Sequence, residues 1–315
     1  MAQIRALVDK LLTNVSNGLF QEMSAFAAER FLAPVGVVQQ SGLVGKYGTN
    51  HLRIHANSMG GEGKAPRVKL VKPDVSTTYL IEEHGLEDVC TPSDYRNYEL
   101  PFDAERDKTS HLTYANLVAK EHALATQMGA AAGVLTQNTT LVGGQQFSDF
   151  ANSDPIEVIS TARETVRASV GYYPNVALLE AAVYEKLRVH PQIWDRLGFK
   201  YNQSGQLTQD NVGQALNVKK LLVTESVYDS SSEGQTSVIA PIWAKSLFFA
   251  VVADNPAIMQ KSLGYHVFFQ NQGVRSVFKQ PIVNPPNALS IICQDDYDML
   301  LSDVLACYAV YEAIA

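Results

Sequence analysis

Residues 46–88 constrain this chain most, because they combine strand-like alternation with little material for a core. Leu52 and Ile54 alternate with Arg53 and His55, and further on Val68 and Leu70 alternate with Arg67 and Lys69. That is the period of two half-buried strands. Between them, Ala56-Asn57-Ser58-Met59-Gly60-Gly61-Glu62-Gly63-Lys64-Ala65-Pro66 forms a tip rich in turn residues. A lone two-stranded ribbon is marginal in water, and one of about ten residues per strand reaches roughly 33 Å. The sequence therefore predicts a long hairpin that needs a neighbour to lie upon, with another subunit as the candidate. The interface residues it singles out are Arg53, Gly60, Gly61, Glu62, Gly63, Lys64, Arg67 and Lys69.

Around this hairpin the chain reads as a mixture of helices and strands. Ile4, Leu7, Val8, Leu11 and Leu12 recur at helical spacing, and a second helical run at 20–31 stops before Pro34. Together they read as an arm that docks on something else. Pro92 to Pro101 reads as a connector, and a long helix over about 103–129 follows, on the order of 40 Å in length. Asp103 is its expected cap, with Tyr114, Leu117, Val118, Leu124, Ala125 and Met128 along one stripe and Lys108, Asn116 and Lys120 on the other sides. Asp154-Pro155 opens a further helix. Strands are expected at 176–179, 218–223, 242–252, 263–269, 274–279 and 288–293, and helices at 181–189 and 191–197. Residues 306–314 fit either strand or helix.

Composition and motifs exclude several classes of function. With 46% hydrophobic and 18% charged residues over 315 positions, the chain has ample means to build a core. Lys and Arg total 25 against 32 Asp and Glu, so no basic excess marks a groove that grips nucleic acid. Three widely spaced cysteines form neither a zinc run nor a disulfide framework, and a reducing compartment is expected. No apolar run is long enough to span a membrane. Gly63-Lys64 resembles the end of a phosphate loop, but Ser58 and Ala65 stand where glycine and Ser or Thr are required. His111 and His122 share a helix at roughly 16 Å separation, too far for one metal ion. The cluster Asp295, Asp296, Asp298 and Asp303 lacks the glycine and terminal glutamate of a calcium loop and reads as a solvated turn. No catalytic, cofactor or metal residue is assigned. The rival enzymatic reading is a cysteine hydrolase using Cys90, with His84 and Asp94 nearby in sequence.

Particular segments resemble a known family. Phe26-Ala27-Ala28-Glu29-Arg30-Phe31-Leu32-Ala33-Pro34-Val35-Gly36-Val37, then Gln40-Ser41-Gly42 and Lys46-Tyr47, look like the start of a tailed-bacteriophage capsid subunit of the Hong Kong 97 type. The helix ending in Glu121-His122-Ala123-Leu124-Ala125 is similar to that family's backbone helix. Pro174-Asn175-Val176-Ala177-Leu178-Leu179, His190-Pro191-Gln192-Ile193, Leu221-Leu222-Val223 and Ile242-Trp243-Ala244-Lys245 continue in family order. The resemblance covers most of the chain. Ala244 departs from the glycine that relatives often carry after the tryptophan.

The resemblance implies an α+β fold: an N-terminal arm (1–34), an extended loop with flanking strands (35–91), a peripheral domain with a spine helix (92–150), an axial domain (151–285) and returning peripheral strands (286–315). It also implies a major capsid protein of the virion, assembled in the host cytoplasm as hexamers and pentamers around double-stranded DNA held by non-specific contact. The chain starts at the arm, so a separate scaffolding protein is expected, along with a portal and a possible decoration protein. No membrane partner and no cofactor is expected. A nanocompartment shell of the same fold, enclosing a cargo enzyme, is the alternative within the fold.

Overall fold

The computed structural model describes residues 25–46, 53–55, 65, 67, 73–97, 103–198, 207–232, 234–255, 260–270, 275–282 and 287–315. The helix expected at 2–12, the start of the one at 20–31, and the hairpin tip except Ala65 lie outside them. From the second helix, α1 (Ala28–Phe31) is described, and the chain turns extended at Leu32 ahead of β1 (Ala33–Val37). Ala33, the residue before Pro34, is in that strand, which is the backbone preference a proline imposes on the residue it follows. β2 (Ser41–Lys46) and β3 (Asp74–Leu80) pair antiparallel as a two-stranded sheet. Arg53, Ile54 and His55 are exposed and outside any regular strand, in contrast to their alternating pattern. β4 (Glu82–Cys90) leads into α2 (Pro92–Asn97), where a connector was expected. Thr91 and Asp94 cap that helix reciprocally: the Thr91 N–H donates to the Asp94 carboxylate at 2.9 Å, and the Asp94 N–H donates to the Thr91 hydroxyl at 3.3 Å.

α3 (Ala104–Met128) is the long helix expected, about 37 Å at 1.5 Å per residue. The Asp103 carboxylate accepts from the Glu105 N–H at 3.1 Å, satisfying one of its free donors. Its buried face differs from the expected stripe. Leu117, Leu124 and Met128 are buried with Asn116, Lys120 and Glu121, whereas Tyr114 is 40% exposed. The apolar count along the helix is low on this face because polar partners from other elements complete it.

β5 (Asn138–Thr140) precedes α4 (Pro155–Val170), which Asp154 caps through the Glu157 N–H at 3.0 Å. α4 ends at Gly171, whose φ of 89° is strained for any other residue type. Then come β6 (Val176–Glu180), α5 (Ala181–Arg188), α6 (Pro191–Arg196), α7 (Gln209–Leu216), β7 (Lys220–Thr224), β8 (Val227–Asp229) and β9 (Ile239–Pro241). The apolar run 242–252 does not form one strand. It turns first, with Ala244 at φ 48°, and only β10 (Leu247–Ala250) is extended. Ala244 thus takes a left-handed conformation that glycine adopts without steric cost. β11 (Gly264–Phe269), β12 (Arg275–Ile282), β13 (Ala288–Leu301) and β14 (Cys307–Tyr311) complete the chain, so the ambiguous last segment is a strand.

The strands form two main sheets. In the first, β13 is central: β4 pairs along one edge, while β12 and then β11 pair along the other, and β1 adds in parallel to β11. α3 lies across β13 and β4. The second sheet runs β5-β14-β10-β6-β7, and its β6, β10 and β14 are buried at every position. The sheets do not respect the expected boundaries at 150 and 285. β5 and β14 join the second sheet, while β11 and β12 join the first. The larger core is continuous from Phe31 and Leu32 in the arm through Leu124 and Met128 on α3 to Phe248 and Val310.

Candidate assembly site

The β2–β3 ribbon forms the base of the extended loop. Its register runs from Ser41 opposite Leu80 to Lys46 opposite Asp74, with an irregularity between Val44 and Lys46. Gly42 faces Tyr79, and a Cβ at Gly42 would meet the tyrosine ring at 2.8 Å, so the ring covers the glycine backbone. Neither face of the ribbon is buried: Leu43 is 66% exposed, Val75 48% and Leu80 51%, with Val38 at 69% just before it. Of the residues singled out from sequence, Arg53 and Arg67 are exposed. Gly60, Gly61, Glu62, Gly63, Lys64 and Lys69 lie outside the described residues.

Two acidic side chains fasten the ribbon to the body. Lys46 reaches Asp303 at 3.3 Å, and Lys261 approaches the other oxygen of Asp303 at 3.5 Å. The Leu80 N–H donates to Asp298 at 3.0 Å. Burial pushes the Asp298 carboxyl above its ordinary range, and this hydrogen bond opposes the shift. Asp295 and Asp296 lie within β13 and are buried, and Asp298 is on the same strand. Of the expected solvated acidic turn, Asp295, Asp296 and Asp298 are therefore part of a strand, and Asp303 is buried just beyond it.

Charged groups hold the arm against α3 and the first sheet. Lys120, 1% exposed, donates to Glu29 at 2.6 Å and pairs with Asp295 at 2.7 Å, with its ammonium 4.1 Å from the centre of the Tyr297 ring. Arg275 meets Asp295 at 3.3 Å and Glu29 at 3.9 Å. Two cations and two carboxylates thus cancel in formal charge. His266 lies in the same buried region, where desolvation and Lys120 hold its pKa down at about 4. One helical position along, Glu121 accepts from the Ala27 N–H at 3.0 Å, the Ala28 N–H at 2.7 Å and the Trp243 ring N–H at 2.5 Å. Burial raises the Glu121 carboxyl and these donors lower it again. Sequence reading missed Lys120 and Glu121 as arm-holding residues. Their signal was positional, since both occupy core-facing places between Leu117 and Leu124.

The chemistry required of a nucleophile is missing at Cys90. The thiol is fully buried beside Leu112, Val277, Ile291 and Cys293, and burial raises its pKa. An attacking cysteine needs access and a lowered pKa. His111 and His122 are exposed, and His122 leans on Tyr228 at a ring distance of 4.9 Å. Among the described residues no group of three His, Cys, Asp or Glu side chains is arranged to hold a metal ion, and no helix is long and apolar enough to cross a membrane.

The β2–β3 ribbon, a long helix laid over a long-stranded sheet, and a second sheet flanked by short helices together match the Hong Kong 97-type capsid fold. The sequence is 25% identical over 248 residues to the major capsid protein of Burkholderia phage BcepMu, covering 78% of this chain and 76% of that one. A phage-related protein from Bordetella bronchiseptica RB50 superposes with a TM-score of 0.73 at 20% identity, covering 98% of both chains. The capsid structure of cyanophage P-SCSP1u gives a TM-score of 0.56 at 9% identity, covering 99% of this chain and 90% of that one. No family profile matches the sequence.

Proposed function

We infer that this chain is the major capsid protein of a tailed bacteriophage, a structural subunit that tiles into an icosahedral shell. The observation that carries the reading is its sequence similarity to the BcepMu major capsid protein over three quarters of both chains. The open β2–β3 ribbon supports it, since a surface that exposes Leu43, Val75 and Leu80 is completed by another subunit. Hexamers and pentamers form by heterologous contacts that close on rotation. In this reading residues 1–34 are the arm, and the loop carried by β2 and β3 reaches the neighbouring subunit through Arg53, Gly60–Lys64, Arg67 and Lys69. The peripheral and axial units follow the two sheets: α3 with β4, β11, β12 and β13 in one, and β5, β6, β7, β10 and β14 in the other. The net charge of -7 suits a container wall that meets packaged double-stranded DNA without gripping it. A separate scaffolding protein, a portal and a decoration protein complete the assembly in the host cytoplasm. The role is structural, with no catalytic step.

Electron microscopy of the highest-mass fraction from cells that make the chain together with its phage's scaffolding protein tests this. Rings or closed shells of uniform size are expected. Only monomers under those conditions would overturn the reading, and shells that enclose an enzyme instead of DNA would reassign it to a nanocompartment.

A further inference from the structure

A pocket of about 510 Å³ opens where β6 and β7 begin and β10 ends. Arg163 from α4, Tyr173, Asn175, Asn217, Lys219 and Lys261 are among the residues around it. Its floor is held by hydrogen bonds. The Asn175 side chain donates to the Val252 carbonyl at 2.7 Å and accepts from the Val252 N–H at 2.8 Å. The Asn175 carbonyl accepts from the Lys219 and Lys220 N–H groups at 2.9 and 3.0 Å, which fixes the backbone at Lys219. Walls fixed in this way spare a ligand the cost of ordering them.

The charges around the pocket do not cancel. Lys261 meets Asp303 at 3.5 Å, and the charge of Asp254 acts on Lys220. Among the described residues, no carboxylate forms an ion pair with Arg163 or Lys219. Glu164, next to Arg163 in sequence, is taken by Arg167 at 2.8 Å and by the Tyr173 hydroxyl at 2.6 Å. The Arg163 guanidinium lies 4.9 Å from the centre of the Tyr173 ring. With the Asn217 amide oriented as its neighbours require, both Arg163 Nη atoms donate to the Asn217 carbonyl, at 3.0 and 3.1 Å. Neither partner carries an opposite charge, and the Arg163 Nε–H is buried without an acceptor. Burial lowers the pKa of Arg163, with Arg196 acting in the same direction and Tyr173 and Glu164 opposing it. Two uncompensated cations thus line one pocket in a chain whose net charge is -7.

A carboxylate presents its oxygens in one plane, and a single guanidinium satisfies it. A phosphate group offers oxygens in several directions, which suits cations brought from separate elements. Here Arg163 comes from α4 and Lys219 from the connection between α7 and β7. We propose that this pocket binds a phosphate group, held by the Arg163 guanidinium and the Lys219 ammonium. Free phosphate and the phosphodiester backbone of DNA present the same chemistry to it. The site lies within one subunit, so the proposal stands apart from the shell reading.

The test measures two ligands on the full chain at fixed ionic strength. Radiolabelled inorganic phosphate is followed by equilibrium dialysis, and a short labelled DNA duplex by fluorescence anisotropy. Saturable binding of at least one of them is expected. Arg163→Gln should weaken it about tenfold, the loss that one charged hydrogen bond carries. Lys219 is exposed, so Lys219→Gln leaves the fold intact and should weaken the same binding several-fold. Arg188→Gln, outside the pocket and paired with Glu185, should leave it unchanged. Uptake of phosphate alone assigns the site to the free ion, and binding of the duplex alone assigns it to DNA; either supports the proposal. It is overturned if neither ligand binds, or if both pocket variants bind as the parent does. Displacement by acetate as effective as displacement by phosphate would also overturn it, because the site would then take any small anion.

Discussion

Lys120 shows how far one side chain in this fold depends on distant partners. An ammonium carried into the interior alone loses several kcal/mol of hydration. Here Glu29 from the arm and Asp295 from β13 meet it, and Arg275 balances the second carboxylate. Removing one member leaves the others buried and uncompensated. Lys120→Met keeps most of the aliphatic stem and should cost about 3–5 kcal/mol in urea unfolding. The same change made with Asp295→Asn should cost less than the two single losses summed, because the charges act as a unit. A loss below about 1 kcal/mol for Lys120→Met would show the cluster to be effectively solvated. Glu121 belongs to the same logic with neutral partners, since three N–H donors hold its carboxylate and none carries a full charge.

At the scale of elements, the ribbon and the body have separate stabilities. β2 and β3 are tied down by the Lys46–Asp303 pair and by Asp298 at Leu80, and elsewhere they present open faces. Lys46 is 33% exposed at its side chain, so its pair is worth about 0.5–1 kcal/mol. Lys46→Met should therefore raise amide exchange in 41–46 and 74–80 about threefold, while β10, buried at every position, keeps its protection. Equal protection in both proteins would remove Asp303 as the fastening point. These elements also show what the sequence made legible. α3 was readable because Asp103 caps it and nothing interrupts it for 25 residues. Its buried face was not, because the groups that satisfy Asn116, Lys120 and Glu121 come from residues about ninety or more positions away. β13 was read short for the same reason: three aspartates look like a solvated turn until Lys120, Arg275, Gln294 and the Leu80 N–H are set beside them. The run 242–252 was read as one strand because periodicity does not register the positive φ at Ala244.

For the whole molecule, the larger core takes residues from both sheets, and a smaller cluster of Cys90, Leu112, Val277, Ile291 and Cys293 packs α3 against the first sheet, whereas the β2–β3 ribbon has no buried face. This division would suit a shell subunit, in which a body with its own core carries a loop whose weak contacts count because every copy repeats them. The loop was singled out in sequence by its lack of core-forming residues, which is local information, but Arg53, Ile54 and His55 form no regular strand and the tip except Ala65 lies outside the described residues. Where it lands on a neighbour is not legible in sequence, because that depends on a surface of another copy. The division leads to a definite expectation for a loop-shortened chain. Replacing 56–66 with an Asn-Gly turn joins the flanking segments by the connection that suits a tight hairpin. It removes Gly60, Gly61, Glu62, Gly63 and Lys64 but none of the residues in either main sheet. Thermal unfolding should then stay within a few degrees of the parent, as expected for changes outside the core. Regular shells should disappear from electron micrographs, leaving monomers, isolated capsomers or irregular sheets. Shells of normal size and yield from this variant would show that the tip is not an inter-subunit contact, and would move the assembly surface to the exposed apolar residues of β2 and β3 themselves.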